Sequence, residues 1–358
     1  MTSPFLLLAL GLFLVIGGII KLRMHAFLAL ALAAFVVGSL TPVAYLERHF
    51  IEEKGESVER SKELSNQNVG KRVAEGFGRT CGKVGILVAM AAIIGICLME
   101  SGAAIRIVRS ALSVFGERRA PEAMAGSSFL LGIPVFFDTL FYLMIPLAKA
   151  LALQTKKNYL LYVLAIVAGG AMTHSLVPPT PGPLLVAGEL NVDLGRMIVG
   201  GLLVGSFGMT GAFLYAGWYN RRHPIEVRIG EEGENVEFLK FAEMKDAQLP
   251  NLLFSLLPIA LPVLLIAGNS ILQQSLTPEG SGWLASLKSS SALLGDKNIA
   301  LTLGAILGLW LLLRSPASKD AKVGGTVGKA LKSAGTIILI TGMGGAFGGI
   351  LQQTSLGL

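Results

Sequence analysis

Two stretches decide how this chain folds: LLGIPVFFDTLFYLMIPL, Leu130–Leu147, and THSLVPPTPGP, Thr173–Pro183. The first is apolar except for Asp138 and Thr139, and Gly132-Ile133-Pro134 interrupts it. A carboxylate within a lipid-compatible run costs about 2.5–3.5 kcal/mol on insertion scales unless it faces a wet cavity or a partner. The second stretch closes an apolar run that starts at Tyr159. Its prolines, Pro178, Pro179, Pro181 and Pro183, remove backbone donors and clash with preceding carbonyls, so the helix cannot continue through them. Unpaired backbone at membrane depth is tolerated only where it is packed in protein or lines a cavity. Broken helices, an acid and His174 together point to a transport site.

Composition carries the same reading over the whole chain. Its 358 residues are 53% hydrophobic and 15% charged, against about 25% charge in a soluble domain. Apolar runs approach or reach the ~18–20 residues needed to cross a hydrocarbon core. They fall near Pro4–Ile20, His25–Leu40, Val84–Met99, Ala123–Ala148, Tyr159–Thr173, Met197–Tyr219, Leu252–Ala267, Ile299–Leu313 and Ala334–Ile350. The expected fold is an all-α polytopic membrane protein of about nine transmembrane segments, some of them discontinuous or re-entrant. The expected organisation is two helices over 1–44, a charged surface segment over 45–83, a first transport repeat over 84–220, a hydrophilic loop over 221–249, and the start of a second, incomplete repeat over 250–358. Met1–Ile20 lacks a basic n-region and a small-residue cleavage site, so it reads as a retained first helix.

The formal net charge of +7 does not point to nucleic acid, because Lys and Arg fall mainly between the apolar runs. If every run crosses once, the loops on the side of residues 44–83 are the basic ones, which places them and the amino terminus in the cytoplasm. Cys81 and Cys97 form no CxxC pair, so neither a disulfide nor a metal is expected. His25, His49, His174 and His223 are scattered, and HExxH, GxSxG and a Walker lysine are absent. No hydrolytic or ATP-driven engine and no cofactor is therefore expected. Gly342–Gly348 lacks the GxGxxG spacing and reads as helix packing or a second broken-helix tip. Gly201 with Gly205 and Gly304 with Gly308 have small-xxx-small spacing, which usually marks helix contact. One internal echo pairs GICLMESGAA, Gly95–Ala104, with GGILQQTSLGL, Gly348–Leu358. Structural repeats are usual in secondary transporters, with the site at their interface.

Four blocks carry a family resemblance. LMESGAA (Leu98–Ala104), IPVFFDTLFYLMIPL (Ile133–Leu147), THSLVPPTPGP (Thr173–Pro183) and TGMGGAFGGILQQTSLG (Thr341–Gly357) resemble, in order, motifs of the gluconate permease family, which are gluconate:proton symporters. The third is similar to the signature Thr-His-Gly-Phe-Leu-Pro-Pro-His-Pro-Gly-Pro. The resemblance covers about residues 70–358 and implies ion-transporter-type inverted repeats. It also implies a multi-pass location in the cytoplasmic (inner) membrane, a small organic anion and a proton as partners, and the lipid bilayer as surroundings. Self-association into a homo-oligomer is left open. Thr180 stands where many members carry a second histidine, so a two-histidine relay is not expected. Members also run on beyond the equivalent of Leu358, so the chain is read as a carboxyl-terminally incomplete member.

The candidate residues each have a plainer reading. Asp138 is expected to carry the coupled proton, because burial raises a carboxyl pKa towards neutrality; the alternative is an acid at a helix start. Glu100, at the end of an apolar run, acquires a coupling role from its family position and is otherwise an interfacial acid. His174 titrates near neutrality and suits proton passage or substrate contact, against a satisfied structural histidine. Ser101, Gly102, Thr139, Thr173, Ser175 and Gly182 are the expected substrate contacts, with Gly182 and nearby freed amides holding an anion as half-helix N-termini do. Gly132, Pro134, Pro178, Pro179, Pro181 and Pro183 are expected to shape the breaks. A carrier for another organic anion or for a small amino acid such as serine uses the same scaffold. A channel would conduct without saturating, and an embedded enzyme would need a second catalytic group at fixed spacing.

Overall fold

A computed structural model describes residues 3–155, 158–225, 246–275, 283–318 and 323–356. Most of the hydrophilic loop expected over 221–249, and Gly357 and Leu358 of the internal echo, lie outside those residues. The described residues are helical, with no strand among them. The helices are α1 Pro4–Ile20, α2 Ala26–Leu40, α3 Val43–Arg48, α4 Val58–Ser65, α5 Val69–Glu100, α6 Ala103–Phe115, α7 Ala120–Leu131 and α8 Phe137–Thr155. They continue as α9 Tyr159–Leu176, α10 Pro181–Glu189, α11 Leu194–Arg222, α12 Leu252–Ser275, α13 Trp283–Leu294, α14 Lys297–Arg314 and α15 Val323–Gln352.

By length and hydropathy, six spans among the described residues can cross a bilayer, or seven if α2 and Val43–Glu53, bent by 99°, form one span. The nine runs read from sequence include pieces too short to cross alone. α1 has 17 residues, and the run at Ala123–Ala148 is divided into α7 and α8. Two helices also begin earlier than their apolar runs. α5 starts at Val69 because Asn68 caps it, its side chain accepting from Lys71 N–H at 2.8 Å, and no proline interrupts the charged first turns. α15 starts at Val323, ahead of the apolar run from Ala334.

Large apolar side chains stand exposed along the spans, among them Phe13 on α1 and Phe207 and Leu214 on α11. In water such faces would associate; against lipid tails they are solvated. Tyr215, Trp218 and Tyr219 cluster at the end of α11, with the Arg222 guanidinium 4.7 Å from the Trp218 ring centre. Amphipathic rings and a cation at a helix end are characteristic of the membrane–water boundary.

The chain forms two compact units, Met1–Gly85 with Gly335–Leu358, and Ile86–Ala334. In the first, Leu7, Ala33, Val37, Val73 and Phe347 are core residues. The first half of α5 lies against the second half of α15 through small residues, Gly76 facing Ala346 and Gly342 facing Cys81. In the second unit α9 is central, packed by α7, α8, α10 and α11, while α12 joins α11 to α6, α13 and α14. Both glycine pairs noted in the sequence make tight contacts there. A Cβ on Gly201 would strike the Leu176 carbonyl, and one on Gly205 would lie 3.1 Å from the Phe129 ring. Gly304 meets Pro262 at 2.5 Å and Gly308 meets Cys97 at 3.2 Å by the same measure.

The arginines after α5 have a structural task in this unit. Arg106 donates to the carbonyls of Pro250 (2.7 Å), Asp246 (2.8 Å) and Leu249 (3.3 Å), and Arg109 donates to the Asp246 carboxylate at 2.7 Å. They strap the segment leading into α12 onto α6. The hydrogen bond from Arg109 holds the Asp246 carboxyl below its ordinary value. Its contribution is therefore complete above the unfolded carboxyl pKa and is lost as pH falls through the folded one. Amide exchange at residues 246–250 is expected to rise on acidification below the carboxylate range. The rise is modest because the three Arg106 bonds go to carbonyls that do not titrate, and Asp246→Asn should remove its pH dependence.

Candidate functional site

α7 ends at Leu131 with Gly132 as its cap, and Pro134 and Val135 form the bend that precedes α8. Within the bend, Ile133 N–H bonds to Leu130 O and Val135 N–H to Leu131 O. The Phe129 carbonyl thus lacks its ordinary i+4 donor, and the Thr173 hydroxyl from α9 supplies the bond at 2.7 Å. Thr173 also reaches its own helix at Gly169 O, 3.2 Å, and is fully buried. α9 comes this close because its facing residues are glycines. A Cβ on Gly169 would collide with the Ala125 carbonyl and the Ser128 hydroxyl, and one on Gly170 would sit 2.9 Å from Leu140 and 3.0 Å from Phe137. Gly132 is closed in by Gly170 and Thr173 at 3.5 and 3.3 Å. The elbow between α7 and α8 and the last turns of α9 form one interlocked joint.

Asp138 and Thr139 lie in the first turn of α8, where the helix dipole favours a negative charge. Asp138 is exposed, not buried as its apolar surroundings in the sequence predict, and Thr139 donates to its Oδ1 at 3.4 Å. His174 lies on the last turn of α9. Its Nδ1 is buried and has no hydrogen-bond partner among the described residues. An acid thus stands at the start of α8 and an imidazole at the end of α9. A void of about 20 Å³ lies beside the elbow, lined by Pro134, Val135, Phe136 and Thr139 with Gly95 of α5 and Ser333 of α15. That is room for about one water.

Beyond His174, Ser175 is exposed, and the chain turns at Val177–Thr180 with Pro178 and Pro179 buried. The Thr180 hydroxyl folds back to the Val177 carbonyl at 2.7 Å. α10 begins at Pro181. Pro181 and Pro183 have no N–H, and Leu184 N–H goes to Thr180 O at 3.1 Å. Of the first three helical positions only Gly182 can donate, so the several freed amides expected there reduce to one. Gly182 is exposed with no atom within 4 Å of a Cβ position.

The Glu100-Ser101-Gly102 block makes the corner between α5 and α6. Gly102 has φ 76°, a left-handed conformation that favours glycine. Ser101 is fully buried; its carbonyl accepts from Ser315 at 2.7 Å and its hydroxyl lies 3.4 Å from Leu98 O. Glu100 is bonded by the Thr326 hydroxyl and paired with Lys329 at 3.1 Å, both on α15. The sequence reading missed these two partners because it began the last apolar run at Ala334. Among the described residues no three His, Cys, Asp or Glu side chains gather as a metal set.

The family model described as GntP family permease matches residues 57–358. An uncharacterized permease of Haemophilus influenzae is 30% identical over 357 residues, 99% of this chain and 68% of that protein. The low-affinity gluconate transporter of Escherichia coli K12 is 28% identical over 343 residues, 95% of this chain and 69% of the relative. The gluconate permease of Bacillus subtilis is 23% identical over 360 residues, 99% of this chain and 74% of the relative. No solved structure matches.

Proposed function

The chain belongs to the GntP family of permeases, and on that premise we propose that it carries gluconate or a related sugar acid across the cytoplasmic membrane together with a proton. Membership makes it a multi-pass membrane carrier, not an enzyme. The observation that carries the finer reading is the buried Nδ1 of His174 at the end of α9, which has no hydrogen-bond partner among the described residues, with Asp138 in the first turn of α8. The two groups come from different broken helices and have only one imidazole between them. Coupling on this reading rests on that pair, with the proton held on Asp138 and passed by His174. Asp138 is exposed in this conformation, and on this reading it loads from one side of the membrane.

The sugar acid's carboxylate is assigned to Gly182 N–H at the start of α10, where the helix dipole attracts an anion. Its hydroxyls are assigned to Thr139 and Ser175. Thr173 and Ser101 act as positioning residues, since the Thr173 hydroxyl and the Ser101 carbonyl are committed to backbone or side-chain partners. Glu100 holds α15 to the corner of α5 through Lys329. The void beside the elbow has room for about one water, so on this reading alternating access must widen it.

The inverted-repeat organisation is also part of the proposal. In the echo, α5 ends at Glu100 with a left-handed residue at Gly102, and α15 ends at Gln352 with a left-handed residue at Ser355, φ 57°. Glu100 bonds Lys329 near the start of α15, and Gln353 bonds Arg72 near the start of α5. Two helices of a duplicated unit would make such reciprocal contacts.

The test is uptake of labelled gluconate into proteoliposomes under an imposed pH gradient. Wild type should accumulate gluconate and a protonophore should abolish this. His174→Ala should accumulate none while still exchanging gluconate at equal pH. Accumulation that survives the protonophore would refute proton coupling. Uptake of another sugar acid with none of gluconate would move the substrate and leave the pair in place.

A further inference from the structure

Residues 45–83 read from sequence as a solvated surface segment, yet residues 49–67 line one cavity together with the start of α5. With the end of α15 they enclose a volume of about 550 Å³ in the first unit, within the ~300–1,000 Å³ usual for small-ligand sites. None of its residues is assigned above to transport. Two ion pairs on its wall are self-contained: Arg60 with Glu63, and Lys71 with Glu75 at 3.9 Å. Lys54, Arg72 and Arg79 then face Glu56 alone, an excess of two positive charges. Among the described residues neither Lys54 nor Arg79 is ion-paired.

Arg72 is the informative member. It is only 8% exposed. Its Nη1 donates to Gln353 Oε1 at 2.7 Å and its Nη2 to the Gly38 carbonyl at 2.8 Å. The Gly38 carbonyl is among the last of α2, which lack helical donors. Its Nε is buried without a partner among the described residues. A guanidinium removed from water with no counter-charge is costly, and one clamped on two sides is already oriented for an oxyanion.

We propose that this cavity binds the phosphate group of a phosphomonoester, held by Arg72 and Arg79 with Lys54 at the edge. A phosphomonoester carries about −1.5 to −2 charges near neutrality, which matches the excess on the wall. The group comes either on a soluble molecule or on a lipid headgroup. The site stands whether or not the transport reading does.

The experiment uses the purified chain in phosphatidylcholine nanodiscs titrated with glycerol 3-phosphate, and in a second arm nanodiscs doped with phosphatidic acid, whose retained lipid is counted by native mass spectrometry. Saturable binding is expected in at least one arm. Glycerol 3-phosphate bound in neutral discs identifies a soluble source, and retention of phosphatidic acid alone identifies the lipid. Arg79→Ala, at an exposed position that folding tolerates, should weaken binding about tenfold or more, as loss of a charged hydrogen bond does. Arg72→Lys keeps the charge without the fork and should weaken it similarly. Arg48→Ala, a cation outside the cavity paired with Glu52, should leave it unchanged. Absence of saturable binding in both arms overturns the proposal, as does equal binding by Arg79→Ala and Arg72→Lys, or equal weakening by Arg48→Ala.

Discussion

Asp138→Asn is expected to abolish accumulation of sugar acid against its gradient while leaving exchange at equal pH on both sides. Asparagine has the shape of the carboxylic acid and can accept the 3.4 Å contact from Thr139, so the elbow and the first turn of α8 should fold as before. What it cannot do is bind and release a proton. One pH unit is worth about 1.4 kcal/mol, so a one-to-one symporter accumulates about tenfold per unit; the asparagine variant should stop at equal concentrations. The helix-start reading of Asp138 predicts something else: a change in stability of about 0.3–1 kcal/mol from the lost dipole interaction, with accumulation intact. Proteoliposome uptake at two imposed gradients separates the two, and wild-type accumulation by Asp138→Asn would remove this acid from the coupling step.

Gly169→Ala should be among the most damaging single-methyl changes in the chain. The added carbon would collide with the Ala125 carbonyl and the Ser128 hydroxyl and lie 2.8 Å from the Phe129 amide. Two of the three obstacles are backbone of α7, which cannot rotate aside. Forcing a methyl into a packed site costs about 1–3 kcal/mol. Here it also pulls Thr173 from the Phe129 carbonyl, leaving that acceptor buried and unbonded. Thermal unfolding in detergent should show a large fall for Gly169→Ala and a larger one for Gly169→Val. Gly211→Ala and Gly217→Ala, where a Cβ meets nothing within 4 Å, should be neutral or gain up to about 1 kcal/mol from helix propensity. A wild-type unfolding temperature for Gly169→Ala would mean that α7 and α9 do not meet in this way.

The parts of this architecture that rest on local chemistry were legible in the sequence. Gly132 and Pro134 stop α7, and Pro178 to Pro183 stop α9 and start α10, because proline acts on its own backbone and its immediate neighbours. Helix starts hidden in charged stretches were not legible. α5 begins at Val69, where only an Asn68 cap marks the change, and α15 begins at Val323, where Gly324, Gly325 and Gly328 have low helix propensity and argue locally against a helix. Contacts between distant segments were out of reach for a different reason. Nothing near Glu100 announces Lys329, more than two hundred residues on, and nothing in Thr173 announces that its hydroxyl serves the Phe129 carbonyl. The nine expected spans were counted from apolar runs, and a run does not reveal that a bend divides it, as between the 12 residues of α7 and the 19 of α8.

The prolines flanking Gly182 have one more implication. An ordinary helix start offers an oxyanion several amides at once and grips it whatever the remainder of the molecule is. If the cargo's carboxylate is bound at Gly182 as proposed, a single amide holds it weakly and indifferently. Discrimination between one acid and the next must then be made along its polyol chain, so a change of preferred cargo within this scaffold calls for substitutions facing that chain and leaves the proline turn as it is.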